Sequence, residues 1–295
     1  MLTNSGLVFF RLLINTYFSG KLDALSTLLP KEEYDRSATV QYPHKNPLAV
    51  LFQPDKWVQG SDCSWMEVLF FQLPASLQSV YLNIFPEEIV NHLRSKMESS
   101  PTDTQQVTYT EPVREFLLGF LHSQNQDEEI TPKELLPEVE LSCLLEMTRA
   151  ELLEIIDLLA IHDLVDEVRH IVDKRTLQAL LQLLTSQQQN YLRICLRQKA
   201  KTLPGSSKQI HELLKDGKKF SSQLHKQGLQ KLGVALSGYN QDFLWYITHR
   251  LDMQRAKFLQ QYIRPEALPS ATRLAQLQVL HIIQFLKTIK AASSE

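Results

Sequence analysis

The sequence predicts an all-α protein, and three observations carry that reading. Leu and Gln are abundant, and both lose little rotamer freedom in a helix. Gly (9) and Pro (13) are scarce in a chain of 295 residues, so helix breaks are few. No stretch alternates apolar and polar residues with a period of two, as a half-buried strand would. With 43% apolar and 22% charged residues the chain is globular in composition, and its length allows two domains with separate cores.

The N-terminal run "MLTNSGLVFFRLLINTYF" reads as an amphipathic helix packed on its own domain. It lacks a basic leader and a small-residue cleavage site, and Arg11 interrupts it well short of the about 20 apolar residues a membrane span needs. Pro43, Pro47 and Pro54 mark residues 30 to 60 as mostly loop. From Ser61 the pattern turns helical: Ser61 or Asp62 can cap, and Trp65, Val68, Leu69 and Gln72 follow at helical spacing. Pro74 ends that helix or starts the next. Two more follow in "SLQSVYLNIF" and "EEIVNHLRSKM", with Pro86 at the first position of the second. "MESSPTDTQQVTYTEP" is a second polar, proline-bearing break.

The polar, acidic stretch "SQNQDEEITPK" (123–133) divides an N-terminal helical domain, residues 1–125, from a second at 132–295. In the second, "AELLEIIDLLAI" aligns Leu152, Ile155, Ile156 and Leu159 on one face. Then come "LVDEVRHIV", "KRTLQALLQLLT" and "QQQNYLRICLRQKAK", with a breaker seam at "LPGSSKQ". The chain also echoes itself. Shifted by 52 residues, "LQALLQLLTSQQQNYL" (177–192) meets "LQKLGVALSGYNQDFL" (229–244) with six of sixteen positions identical, and a weaker copy lies at 77–93. A helix, a polar turn and a further helical start recur. Stacked helix pairs of this kind bury a continuous core and leave grooves for partners.

Chemistry is harder to find. The net charge of −2 gives no bulk attraction to nucleic acid or anionic lipid. Cys63, Cys143 and Cys195 form no Cys-x-x-Cys pair, which predicts reduced, buried thiols rather than disulfides or zinc. "HDLVDEVRH" sets His162, Asp166 and His170 four apart on one helix face, but the two histidines lie about 12 Å apart along the axis. That is too far for one ion, and Glu167 with His170 has no second Glu-x-x-His to complete a di-metal site. A solvated charged face is the expectation. There is no Gly-x-Ser-x-Gly elbow, no phosphate-cradling Gly-rich loop and no cysteine in an activating motif. Arg193, Arg197, Lys199, Lys201 and Lys208 form a basic run that suits a helix C-terminus. The sequence thus implies no enzyme activity, no cofactor and no metal.

One stretch is more specific. "LGVALSGYNQDFLWYITHRLDMQRAKFLQQYI" resembles the C-terminal domain of the flagellar motor switch protein FliG. That family has a helix ending in an Ala-Leu-Lys-Gly turn, apolar positions four residues apart and then an Arg-Ala pair. Here the turn is Ala235-Leu236-Ser237-Gly238, the intervals are Phe243, Ile247 and Leu251, and the pair is Arg255-Ala256, with one extra residue before Arg255. "EALPSATRLAQLQVLHIIQFLKTI" is similar to the family's last turn and helix, and "VDKRTLQALLQLL" to an upstream segment, so the likeness covers about residues 140 to 290. It implies an armadillo-like stack of helix pairs.

The departures bear on function. The family's charged torque-helix residues meet the stator. Arg255 is kept, Arg273 matches the later turn's arginine, Ser237 replaces the turn's lysine, and Gln260-Gln261 stand where an acidic pair is expected. Losing both carboxylates removes the charge complementarity of a stator contact. The resemblance therefore implies a non-motor scaffold, similar in position to the SctK family of type III secretion systems. Such a scaffold would be cytoplasmic, at the inner face of the inner membrane, and peripheral to the membrane through partners. It would join ring and platform subunits, with no nucleic acid, through a surface including Ser237, Gly238, Arg255, Gln260, Gln261 and Arg273. The alternatives are a divergent flagellar switch protein and, from another class, a metal-dependent enzyme.

Overall fold

The computed structural model describes residues 54–97, 107–124, 136–197, 216–266 and 268–293, with Phe10, 30–32, Tyr34, Ile130 and Lys133 besides. The N-terminal run, most of the 123–133 stretch and the "LPGSSKQ" seam lie outside these residues, as do Lys199, Lys201 and Lys208. Among the described residues the secondary structure is helical throughout, with no strand. The chain divides into two compact units: residues 1–145 with Asn240–Met253, and residues 146–239 with Gln254–Glu295.

The first unit begins with α1 (Pro54–Gly60), α2 (Cys63–Gln72), α3 (Ala75–Tyr81), α4 (Glu87–Lys96) and α5 (Glu111–Gln124). α1 corrects the expectation of mostly loop across 30 to 60 at its far end, whereas residues 35–53 lie outside the described residues: Pro54 sits at a helix start, where its missing N–H and fixed φ cost nothing. Asp62 caps α2 by accepting from Ser64 N at 3.0 Å, and Pro74 and Pro86 are the residues just before α3 and α4. The buried face of α2 is Met66, Leu69 and Phe70, whereas Val68 points outward at 43% exposure. Tyr81 is fully buried because its hydroxyl has an acceptor, donating to Leu117 O at 2.7 Å. Around it gather Trp57, Phe70, Phe85, Leu93, Leu118 and Leu121.

α10 (Gln241–Arg250) belongs to this unit, and its side chains explain why. The His249 imidazole lies between two indoles, 4.1 Å from Trp65 and 3.9 Å from Trp245, nearly parallel to both. Two rings cannot share one face at that distance, so they sandwich it. Asp62 N donates to His249 O at 2.8 Å, Trp65 Nε1 to Leu251 O at 2.9 Å, and Met253 N to Ser64 Oγ at 3.0 Å. Arg250 donates to Leu144 O at 2.9 Å and to Leu145 O, in the 3-10 turn Ser142–Glu146.

The second unit is built on α6 (Arg149–His170) with α7 (Lys174–Leu183), α8 (Ser186–Arg197), α9 (Gly217–Ala235), α11 (Met253–Gln260, all but its first residue) and α12 (Pro269–Ser293). "AELLEIIDLLAI" and "LVDEVRHIV" are one helix to His170. Thr148 opens it with a capping box: Glu151 N donates to Thr148 Oγ1, and Glu151 Oε2 accepts from Thr148 N at 2.7 Å. α8, α9 and α12 all pack on α6. Its middle is therefore buried all round over five residues, Leu158 to His162, and Leu152, Ile155, Ile156, Leu164 and Val165 extend the covered face. Gly228 is the condition for this. A Cβ there would stand 1.8 Å from Ile156 O, so α9 and α6 touch backbone to backbone. Two cysteines correct the expectation of burial: Cys195 is buried, but Cys63 and Cys143 are only half-buried, and all three are free thiols.

Candidate functional site

The turn that carries the family resemblance ends α9. Leu236 stays in the right-handed region and Gly238 takes φ 81°, a left-handed conformation natural to glycine. The Ser237 side chain is 4% exposed. Its hydroxyl donates to Gly233 O at 3.1 Å and accepts from Arg264 N at 3.0 Å, while Gly238 N donates to Arg264 O at 3.0 Å. Ser237 thus ties the turn to the segment after α11 and offers no hydroxyl to solvent. Gly233, one helical turn back, lets that segment approach: a Cβ there would lie 2.7 Å from Tyr262 Cβ. Gly238, Gln260, Gln261 and Arg273 are exposed. Phe243, Ile247 and Leu251, the four-residue intervals, are 2%, 0% and 0% exposed.

Arg255 is half-buried and held by a chain of hydrogen bonds. Its Nε donates to His225 Nε2 at 2.8 Å, so Nε2 is an acceptor and the ring proton sits on Nδ1. Nδ1 in turn donates to Asp157 Oδ1 at 2.6 Å. Helices α6, α9 and α11 each contribute one residue. An Asp–His pair orients a general base in hydrolases, but here Arg255 occupies the basic nitrogen, leaving it no hydroxyl or thiol to activate. What the arrangement does is fix the direction of a guanidinium.

A second polar cluster escaped the sequence reading. His162, expected on a solvated face, is 4% exposed. Its Nε2 lies 2.9 Å from Tyr191 Oη, and the same hydroxyl lies 2.9 Å from His281 Nδ1. His162 Nδ1 is buried without a hydrogen-bond partner among the described residues. A bare acceptor costs less there than a stranded N–H. This orders the protons: His162 Nε2–H donates to Tyr191 Oη, whose hydroxyl donates to His281 Nδ1. Lys231 is buried nearby on α9. Burial, then Lys231, then His281 lower the His162 pKa to about 3. Burial pushes the Tyr191 hydroxyl upward and the Cys195 thiol up to about 11. His162, Tyr191 and Cys195 are thus uncharged at neutral pH. The other end of that face, His170, is exposed. Among the described residues no group of three or more His, Cys, Asp or Glu could hold a metal ion.

On the surface of the second unit a groove of about 430 Å³ runs between α6, the first turn of α8 and the end of α12. Leu286 and Ile289 give it an apolar floor, Ser186, Gln187 and Asn190 a polar wall, and Glu154 and Lys290 charged edges. Lys290 also pairs with Glu151, which that contact and the capping box hold down at a pKa of about 2. No described helix is long and apolar enough to cross a membrane.

Comparison of the chain with protein-family models, curated proteins and solved structures finds no match.

Proposed function

We propose that the protein is a non-enzymatic adaptor of a type III secretion or flagellar-type export apparatus. In this reading it bridges a membrane ring and a cytoplasmic platform from the cytoplasmic side. The observation that carries it is the run 232–263, with its Ala-Leu-Ser-Gly turn, its four-residue apolar intervals and its Arg-Ala pair. Two local structural facts fit a run of that type, whose residues 240–253 belong to the first unit and the rest to the second. Gly238 has the positive φ such a turn needs, and the three interval residues are core. The proposed architecture is a stack of helix pairs; the FliG-like stretch expected as a single domain at 132–295 draws on both compact units, since residues up to 145 and Asn240–Met253 belong to the first.

The groove on the second unit has the composition that takes up side chains of a partner helix: apolar floor, charged rim. Arg255, Gln260, Gln261 and Arg273 would form a polar contact of their own, apart from the groove, since Arg273 stands at the start of α12 and the groove at its end. The uncharged Gln260-Gln261 pair favours holding over torque, which sets this reading above a divergent motor switch.

Affinity capture of the tagged full-length protein from its own cells, followed by mass spectrometry, tests the proposal. Secretion-ring or platform subunits among the captured proteins support it, and their consistent absence removes it. Recovery of flagellar ring subunits together with restored motility transfers it to the motor-switch alternative. An Arg255→Glu variant that folds as the parent, by circular dichroism, should lose most of the capture. Unchanged capture would take Arg255 out of the interface.

A further inference from the structure

One imidazole joins three helices at the Arg255 guanidinium. Arg255 Nε on α11 donates to His225 Nε2 at 2.8 Å, and His225 Nδ1 on α9 donates to Asp157 Oδ1 of α6 at 2.6 Å. Both bonds together require a neutral ring. In neutral imidazole one nitrogen donates and the other accepts, whereas in the imidazolium both donate. The guanidinium is always charged and accepts nothing. A proton on His225 Nε2 therefore sets donor against donor and brings two like charges to bonding distance. The bond to Asp157 survives the same event and gains strength from the charge.

We infer that Asp157, His225 and Arg255 form a proton-operated catch: neutral His225 holds the guanidinium, and the imidazolium lets it go while keeping Asp157. In the step a solvent proton binds the Nε2 lone pair and the Arg255 hydrogen bond breaks, with no other bond of the chain exchanged. Solvent has a way in, because the His225 side chain is 18% exposed beside an Asp157 side chain exposed at 41%. Imidazole suits such a role, since its charge changes between about pH 5 and 8. Asp157 favours the proton and Arg255 opposes it. On α9 the next residue, Lys226, is exposed. Helices α7 and α12 also pack on α9, but among the described residues their charged groups make no hydrogen bond or ion pair with His225. The catch belongs to the second unit whatever that unit binds. Its effect on a partner rests on the reading of Arg255 as a contact residue.

The test follows both groups in the whole protein by nuclear magnetic resonance. Protein labelled with 15N at arginine and histidine is titrated from pH 8 to pH 5, and Arg255→Lys and His225→Gln identify the two signals by their loss. The His225 ring should take up its proton in this range, and the Arg255 Nε–H resonance should move with the same midpoint. His225→Gln is the decisive variant: its Oε1 can accept from Arg255 and its Nε2 donate to Asp157, but it does not titrate. There the Arg255 resonance should hold one position throughout. Asp157→Asn keeps an acceptor without the charge that favours the imidazolium, and should move the common midpoint to lower pH. A ring that stays neutral to pH 5 would overturn the inference. So would a ring that titrates while Arg255 stays still, or an Arg255 shift equal in the parent and in His225→Gln. Capture of partners at pH 8 and pH 5.5 tells the catch apart from the interface. Acid should lower capture by the parent roughly threefold or more beyond any change in His225→Gln. A resonance that switches while capture stays constant would leave the catch standing and take Arg255 out of the interface.

Discussion

Acid should loosen the second unit through His162, and the size of the effect follows from where that ring lies. Its neighbours come from three other helices: Tyr191 and Cys195 on α8, Lys231 on α9 and His281 on α12. None supplies a negative charge. The hydroxyl and thiol are pushed upward by burial and stay neutral in mild acid, and Lys231 opposes a second positive charge. The folded pKa of His162 is accordingly lowered to about 3, against 6.5 for an unperturbed imidazole. Below pH 6.5 the unfolded chain binds a proton there that the folded chain does not, so stability rises with pH. The contribution is complete above pH 6.5 and is lost as pH falls toward 3.

Each pH unit in that window costs about 1.4 kcal/mol, so pH 5 removes about 2 kcal/mol, roughly a thirtyfold shift toward the unfolded unit. Amide exchange followed by mass spectrometry, on peptides from α6, α8 and α12, reads this unit alone at pH 7 and pH 5. His162→Gln is the control, because its amide can still donate to Tyr191 but does not titrate. The parent should lose about 2 kcal/mol of protection between the two pH values and the variant less than half of that. Equal losses in both proteins, or none in the parent, would refute the argument.

Three further outcomes follow from single contacts. Gly228→Ala puts a methyl 1.8 Å from Ile156 O and should destabilise the second unit by about 3 kcal/mol or more in urea unfolding, whereas Gly119→Ala, with nothing within 4 Å, should stabilise α5 by about 0.5 kcal/mol. Gly238→Ala, at φ 81°, should cost about 1 kcal/mol in the same assay, and a neutral result would deny that the turn depends on the left-handed conformation. Thiol titration of the native protein at pH 8 should show Cys63 and Cys143 reacting, with Cys195 silent until denaturant is added, since it is buried and its pKa is raised to about 11.

What the sequence makes legible depends on how local its cause is. Asp62 at the start of α2 and the prolines before α3 and α4 act through the backbone of the next turn; Asp62 and Pro74 fall where the pattern puts them, and Pro86 falls one residue ahead of the first helical position expected for it. Pro54 is equally local, yet it read as a loop residue because three prolines in a row of loops look alike, and only helix-compatible residues after it tell a first turn from a break. Faces are less local. Val68 shares helical spacing with Leu69, but the neighbouring helices cover the side that holds Met66, Leu69 and Phe70. His162 failed for the same reason in reverse. Its spacing to His170 is right, and both lie on one side of α6, but α8, α9 and α12 cover the middle of that helix and not its end. A signal was present: apolar residues surround His162 on both sides in sequence, at Leu158, Leu159, Ile161, Leu164 and Val165. The Asp157–His225–Arg255 chain had none, since its members lie 68 and 30 residues apart on three helices.

The echo between 177–192 and 229–244 shows how far a sequence repeat constrains geometry. The first helices end at Leu183 and Ala235, the same 52 residues apart as the alignment. The second helices do not keep step: α8 starts at Ser186 and α10 at Gln241. The difference sits in the few unmatched residues between. After Leu184, Thr185 caps at once, its hydroxyl accepting from Gln188 N and its own N–H donating to Gln188 Oε1 at 3.0 Å. Gln189 then closes the corner by donating to Leu181 O and Leu184 O. After Leu236, Ser237 faces inward to Gly233 and Arg264, Gly238 reverses the backbone, and capping waits for Asn240, which accepts from Asp242 N. One residue decides the length of each link: a hydroxyl free to cap gives the short corner, and a hydroxyl bound into the fold gives the long one. The prediction is direct. Ser237→Ala removes the bond to Arg264 N and should cost about 1 kcal/mol, while Thr185→Ala should cost a similar amount through its cap. Only the Ser237 change should raise amide exchange at Arg264. If both variants leave Arg264 equally protected, the long turn is held by Gly238 alone.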